Sequence, residues 1–304
     1  MKLTGTTAAG MQIDLGLPLQ VKINRASDAP ADDLTVVLAY SGELPPLRSV
    51  QVSEGERLLF WGWVDEQTEQ VTQSGATHTL VARSRAALLL DSQAIPQTYQ
   101  SPPFSVVFAR HAQPYGISAY RVPAGGERIG ELVVRSGMSD WQVLAECCKR
   151  AWRMNPRITP EGFLLVDPQP AEQAVFCNTG AGVPYLSIEK RRKPCVLLGE
   201  VLVQSPKDGT YTPVEWDTEA QRLGLMRRRC LSAASSQNPE ELLRTARQNE
   251  WEITLVCPGW PPLLPGTRAS VSDWGIEGME VWKLRQVWDS GGQRTVVTLR
   301  RAMK

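Results

Sequence analysis

Trp61-Gly62-Trp63-Val64-Asp65, entered through Leu58-Leu59-Phe60 and followed by Arg83-Ser84-Arg85-Ala86 and Leu88-Leu89-Leu90-Asp91, is the stretch that decides the fold. Read as a strand, Leu58 to Val64 places Leu58, Phe60 and Val64 on one face and Leu59, Trp61 and Trp63 on the other, because side chains alternate with period two. Both faces are apolar. A sheet that only divides a core from water alternates apolar with polar, so a strand greasy on both sides needs a second cover, from its own chain or from a neighbour. That pattern points to assembly before chemistry and makes Leu59, Trp61 and Trp63 the candidates for packing between barrels.

Working outward, the first ninety residues read as short strands: Met11 to Ile23, Leu34 to Tyr40, Ser49 to Val52, Leu58 to Val64 and Thr77 to Arg83. Turn residues punctuate them at Asp28-Ala29-Pro30, Ser41-Gly42, Pro45-Pro46 and Ser74-Gly75, which suits a small antiparallel barrel or sandwich. Arg85 to Leu90 is too brief to stand alone and is expected to pack under that barrel as a helical plug. From Ser101 the texture becomes mixed. A helix over Phe104 to Arg110 comes first, and Ser139-Asp140-Trp141-Gln142 then forms a capping box. The helix it starts carries Trp141, Leu144, Ala145, Cys148 and Trp152 on one face and is predicted to end at Pro156. Glu161-Gly162 turns into a strand, Phe163 to Val166, that leaves through Asp167-Pro168. Beyond the link Thr179 to Pro184, strands are predicted at Pro184 to Ile188, Cys195 to Gln204 and Tyr211 to Val214. A helix capped by Asn238, with Pro239 at its first position, runs to about Asn249. An alternating strand over Trp251 to Cys257 follows, and the chain closes on a hairpin, Val281 to Trp288 and Arg294 to Arg300. The fold class is therefore mainly β, as α+β: two antiparallel β-barrel domains, 1–95 and 185–304, the second with a helix near 239–249, and an α/β insertion at 96–184.

The 304 residues are enough for two domains or a little more, and a 42% apolar share is ordinary for a packed protein. With 33 basic against 32 acidic residues, no global field argues for nucleic acid or an acidic membrane. No apolar run is long enough to span a bilayer, and Met1-Lys2-Leu3-Thr4-Gly5 opens no secretory signal, so the chain reads as a soluble protein made in the cytoplasm. The 10 Trp outnumber both 5 Phe and 6 Tyr, and Trp and Arg are the residue types enriched at protein interfaces.

Catalytic signals are weak throughout. The 2 histidines, His78 and His111, read as a strand-face and a loop residue, with no Gly-x-Ser-x-Gly or His-Glu-x-x-His beside them. Asp65, Glu66, Glu69 and Asp91 are the carboxylates from which a glycosidase pair would have to come, but acidic residues on solvated strands are the commoner case. Asp91 is expected to end the short helix, and Asp65 to point off a strand end. Gly125-Gly126-Glu127 and Gly180-Ala181-Gly182 lack phosphate-cradling spacing and read as turns. Cys147-Cys148 reads as buried thiols, and the 6 cysteines show neither zinc nor redox spacing. Neither a cofactor nor a metal is expected. Lys190-Arg191-Arg192-Lys193 and Arg227-Arg228-Arg229 read as solvated or salt-bridged edges. The segment Cys257 to Gly266 is proline-broken and apolar, which makes Trp260, Leu263 and Leu264 a candidate docking loop; folding onto its own barrel is the alternative.

Several of these residues also carry a likeness. Ile23-Asn24-Arg25, Asp28 to Leu34, Leu59 to Glu66, Ala82 to Asp91, Pro96-Gln97-Thr98-Tyr99, Pro114-Tyr115-Gly116, Gly137 to Leu144 and Thr295 to Leu299, in that order, resemble the baseplate hub proteins of phage tails and tail-derived particles, of the late control D type. The resemblance implies two tail-tube-like barrels per chain and a homotrimer that mimics the sixfold tail tube above while a threefold central spike docks on its other face. It also implies partners among the tube, spike and other baseplate proteins, no membrane contact during assembly, and nucleic acid only by passage through the channel. The place would be a virion or phage-like particle, assembled in the bacterial host cytoplasm. The alternatives are a tail-associated cell-wall hydrolase, whose release of muropeptides would depend on His111 or Asp91, and a secretion-system spike-base protein.

Overall fold

The computed structural model describes residues 1–40, 42–73, 75–166, 173–235 and 237–302. The predicted turn residues Ser41 and Ser74 and the exit at Asp167-Pro168 lie outside the described residues. The architecture is mostly antiparallel β. The chain divides into two compact units, Met1–Pro170 with Lys283–Thr295, and Ala171–Trp282 with Val296–Lys304.

The first unit begins with β1 (Lys2–Thr7), β2 (Gln12–Asp14), β3 (Pro18–Ala26), β4 (Asp33–Ala39), β5 (Leu47–Glu54), β6 (Arg57–Thr72) and β7 (Gly75–Ser84). They join in the order β3-β4-β7-β6-β5-β1-β2, every pairing antiparallel. Alternation builds the core, with Val21, Ile23, Leu34, Val36, Val52 and Leu80 fully buried. The predicted strand Met11 to Ile23 is broken at Gly16, whose φ of +73° favours glycine. The strand predicted to stop at Val64 runs on to Thr72, because β7 supplies a main-chain partner from Gly62 to Thr72. Its outer half, Asp65 to Thr72, is exposed and carries no apolar signal beyond Val71.

The first unit continues with α1 (Ala87–Asp91), β8 (Gln97–Gln100), α2 (Phe104–His111), β9 (Ala119–Arg121), β10 (Glu131–Val134), α3 (Asp140–Trp152), β11 (Arg157–Ile158) and β12 (Phe163–Leu165). Ser139 caps α3 in the predicted capping box, Gln142 N–H to Ser139 Oγ at 3.2 Å and Ser139 N–H to Gln142 Oε1 at 2.8 Å. The helix ends at Arg153, in the left-handed region at φ +57°, ahead of the predicted stop at Pro156. Leu89 of α1 packs in one core with Val107, Leu132, Val143, Leu144 and Leu164. The short plug thus packs in the core shared with α2 and α3: α1 faces α3, with Ala87 and Leu89 buried.

The second unit holds β13 (Ala174–Phe176), β14 (Ser187–Arg192), β15 (Glu200–Gln204), β16 (Tyr211–Trp216), α4 (Thr218–Arg222), β17 (Arg228–Leu231), α5 (Pro239–Glu250), β18 (Trp251–Pro258) and β19 (Arg268–Val271). Two long strands, β20 (Ile276–Asp289) and β21 (Gly292–Arg301), run through both units, and the end of β20 pairs with β3 from Lys283↔Ala26 to Trp288↔Val21. In the second unit β14 pairs antiparallel with β18, and a separate sheet, β16-β15-β17, packs Val201 and Leu231 against Leu243 and Ala246 of α5. Asn238 caps α5 with Pro239 at its first position, as predicted. Among the described residues no helix is long and apolar enough to cross a membrane.

Candidate functional site

The β5–β6 pairing slips by one residue: Val52 faces Phe60, but Ser53 faces Leu58, leaving Leu59 as the extra residue of a bulge. The strict alternation expected over Leu58 to Val64 therefore fails at its start. Leu59 and Phe60 are both about 1% exposed, so Leu59 is covered within its own chain and leaves the face it was expected to share with Trp61 and Trp63. Trp61 and Trp63 remain on a half-buried wall, their rings in an edge contact at 5.1 Å and 83°. The Arg85 guanidinium lies 3.7 Å from the Trp61 ring and donates through Nε to the Pro160 carbonyl at 2.9 Å. Between the tryptophans, Gly62 leaves space for Phe60; a Cβ there would stand 2.7 Å from that ring and 2.3 Å from the Arg83 carbonyl oxygen.

Two of the four carboxylates weighed for glycoside chemistry, Asp65 and Asp91, are tied to one cation. Arg83 donates to Asp65 from Nε and Nη2, at 2.8 and 2.9 Å, and to Asp91 from Nη1 and Nη2, at 3.2 and 2.6 Å. The paired guanidinium holds the Asp91 carboxyl below its ordinary range. A general acid needs the opposite shift, so Asp91 has no proton to give near neutrality. Asp91 does end the short helix, while Asp65 sits inside a strand that continues past it.

Both histidines are buried. His78 Nε2 lies 2.8 Å from the Gly42 carbonyl, Nδ1 is 3.4 Å from Glu69 Oε1, and the ring stacks on Tyr40 at 4.7 Å. His111, expected in a loop, forms the last residue of α2 at 2% exposure. Its Nδ1 is 2.6 Å from Asp140 Oδ1 and its Nε2 is 2.9 Å from the Tyr99 hydroxyl, while the Tyr115 hydroxyl donates to Asp140 Oδ2 at 2.5 Å. A carboxylate accepts, so the Asp140 contact is one in which His111 Nδ1–H donates, and Nε2 faces the Tyr99 hydroxyl. This chain of side chains joins β8, α2 and α3 and extends from Tyr115 to the Ser92 side chain, and the two ring nitrogens of His111 face Tyr99 and Asp140, neither of which is a nucleophile for the imidazole to activate. Sequence reading missed it because Tyr99, His111, Tyr115 and Asp140 are far apart along the chain; only Asp140, directly after the helix cap, marks the place.

Burial pushes the Cys147 thiol up to about 12 and the Cys148 thiol higher still, as inert thiols require. Among the described residues no group of three His, Cys, Asp or Glu is placed to hold a metal ion. The basic run on β14 is neutralised: Lys190 Nζ lies 4.2 Å from the Trp274 ring centre, Arg191 meets Glu189 at 3.1 Å, Arg192 meets Glu250 at 2.7 Å and Lys193 meets Glu252 at 3.0 Å. In the second cluster Arg228 pairs with Glu200 at 2.9 Å.

The proline-broken loop does not stand free. Trp260 and Leu263 are each 6% exposed, and only Leu264, at 42%, reaches solvent. Gly259 turns at φ +67°, Gly266 N–H bonds the Val281 carbonyl at 2.8 Å and Thr267 Oγ1 bonds the Leu264 carbonyl at 2.7 Å, so the loop folds back on its own unit. Of the three candidate docking residues, Trp260 and Leu263 are buried within the chain and Leu264 is exposed.

No protein-family model and no curated protein matches the chain. Solved structures do. The tail protein from Neisseria meningitidis aligns with a TM-score of 0.74 at 16% identity, covering 99% of this chain and 97% of its own. The 43 kDa tail protein of prophage MuSo2 from Shewanella oneidensis aligns with a TM-score of 0.75 at 15% identity, covering 99% and 98%. A type VI secretion system component of E. coli, described as similar in structure to the T4 bacteriophage tail proteins gp27 and gp5, aligns with a TM-score of 0.55 at 10% identity, covering 95% and 76%. This chain has the mainly β fold of those tail proteins.

Proposed function

We propose that the chain is the structural hub of a phage tail or phage-like contractile particle, three copies of which adapt the sixfold tail tube to the threefold central spike. The observation that carries this reading is the full-length correspondence with two tail proteins, 99% of this chain against 97% and 98% of theirs. In this reading 1–95 and 185–304 are the tube-like β domains and 96–184 the insertion between them. Trp61 and Trp63 are the residues through which neighbouring barrels pack, since they stay half-buried in the isolated chain while the core beneath them is closed. The function is geometric: rings are matched by burying barrel walls, with the tube, spike and other baseplate proteins as partners and the particle as the location. The hydrolase alternative finds no support at the residues it needs. Asp91 is held ionised by Arg83, and His111 is enclosed among Tyr99 and Asp140.

Electron-microscopic reconstruction of the intact particle tests the reading, with three copies of this chain expected between tube and spike. The change Trp63→Ala should leave a folded chain that enters particles at least about tenfold less well, because a packed tryptophan typically contributes several kcal/mol, roughly 3–5 when fully covered. Six copies per ring, or normal incorporation of the Trp63 variant, would count against the hub and the packing wall respectively.

A further inference from the structure

Two surfaces, one in each unit, have opposite charge and remain open. In the first unit a cleft of about 300 Å³ lies between residues 43–46 and the outer part of the β6–β7 hairpin, lined by Glu43, Leu44, Pro46, Glu69, His78 and Leu80 among others. Glu43, on the cleft rim, meets no cation among the described residues. Glu69 shares His78 at 3.4 Å, so the cleft is acidic over an apolar floor.

In the second unit the segment Leu223 to Arg229 forms a knob. Met226 is 75% exposed and Leu223 42%, and Arg222, Arg227, Arg228 and Arg229 are exposed around them. The segment is held firmly. Gly224 turns at φ +70°, Leu225 N–H bonds the Ala220 carbonyl at 2.9 Å, Gly199 N–H bonds the Arg227 carbonyl at 2.7 Å, and the Arg227 guanidinium donates to the Cys195 carbonyl. Arg229 makes no ion pair among the described residues. A pre-ordered loop that presents an apolar tip near the unpaired Arg229 loses little entropy on docking.

We propose that this knob docks into the acidic cleft of a second copy of the chain, Met226 entering over Leu44 and Pro46 while Arg229 meets Glu43 and Glu69. The proposal rests on the hub reading and names a contact that helps close its ring. Knob and cleft are different surfaces, so the contact is heterologous, the class that generates rings when the rotation closes. A nucleic-acid backbone would use the arginines alone and leave Met226 and Leu223 uncovered, whereas the cleft uses both.

The test follows the full chain by sedimentation equilibrium and, in parallel, by incorporation into particles. Arg229→Glu and Glu43→Lys break no ion pair among the described residues. Each should raise the self-association constant for dissociation about tenfold or more and lower incorporation in step. Combined in one chain the two changes restore complementarity and should recover most of the loss, and Met226→Asp should behave like the single charge reversals. Single variants that associate and incorporate like the parent, or a combined variant that fails to recover, overturn the proposal. Loss of affinity for a short DNA duplex in Arg229→Glu, with assembly unchanged, overturns it in favour of a phosphate contact. Three copies in particles built from charge-reversed chains would sink the docking while leaving the hub reading intact.

Discussion

At the scale of single residues, the stretch around Gly62 shows how closely a double-faced strand is specified. Phe60 fills the space a side chain at Gly62 would need, and the Arg83 carbonyl closes the other side. Gly62→Ala should therefore cost about 2–3 kcal/mol of unfolding free energy by chemical denaturation, the usual cost of overfilling a packed site; a loss under roughly 0.5 kcal/mol, the range of neutral surface changes, would show that the strand can give way. The amphipathic wall itself was legible from Trp61 and Trp63. The fate of Leu59 was not, because a bulge is a property of the partner strand: nothing in Leu58-Leu59-Phe60 says that Ser53 will face Leu58.

At the scale of elements, legibility followed local chemistry. Ser139 with Gln142, and Asn238 with Pro239, announce helix starts because the capping groups are near neighbours in sequence. The outer half of β6 gave no such sign, since its polar residues are held in a strand by main-chain pairing with β7. Strand β1 and the strand over Arg228–Leu231 also went unread, the first for its short Thr-rich run and the second because its arginines resemble a loop. The Tyr99–His111–Asp140–Tyr115 chain ties these helical elements together and makes its own prediction. Asp140 must offer two acceptors, to His111 Nδ1–H and to the Tyr115 hydroxyl, and an asparagine offers one acceptor and one donor. Asp140→Asn should cost about 1.5–3 kcal/mol, also losing a charge at a helix start, and the His111 ring-nitrogen shifts in NMR should move with it. An unchanged melting curve would remove the network from the account of stability.

At the scale of the whole molecule, thiol chemistry reports how the chain closes. Cys195 and Cys230 are exposed, and Cys147, Cys148, Cys177 and Cys257 are buried. Burial also pushes the Cys257 thiol up to about 12. At pH 8, two of the six cysteines should react quickly with a disulfide reagent in the native chain and all six after unfolding, and four fast thiols would contradict the packing. By itself the sequence determined what depends on neighbours along the chain: the mainly β class, both capped helices, the closing hairpin and the order of motifs resembling tail hub proteins. Only the tertiary structure decided what depends on distant partners. It alone turned Leu59, Trp260 and Leu263 inward, joined Asp65 and Asp91 through Arg83, and enclosed His111. Register, bulges and burial are set by residues far away in sequence, and a periodic pattern records which side chains are apolar without recording what will cover them.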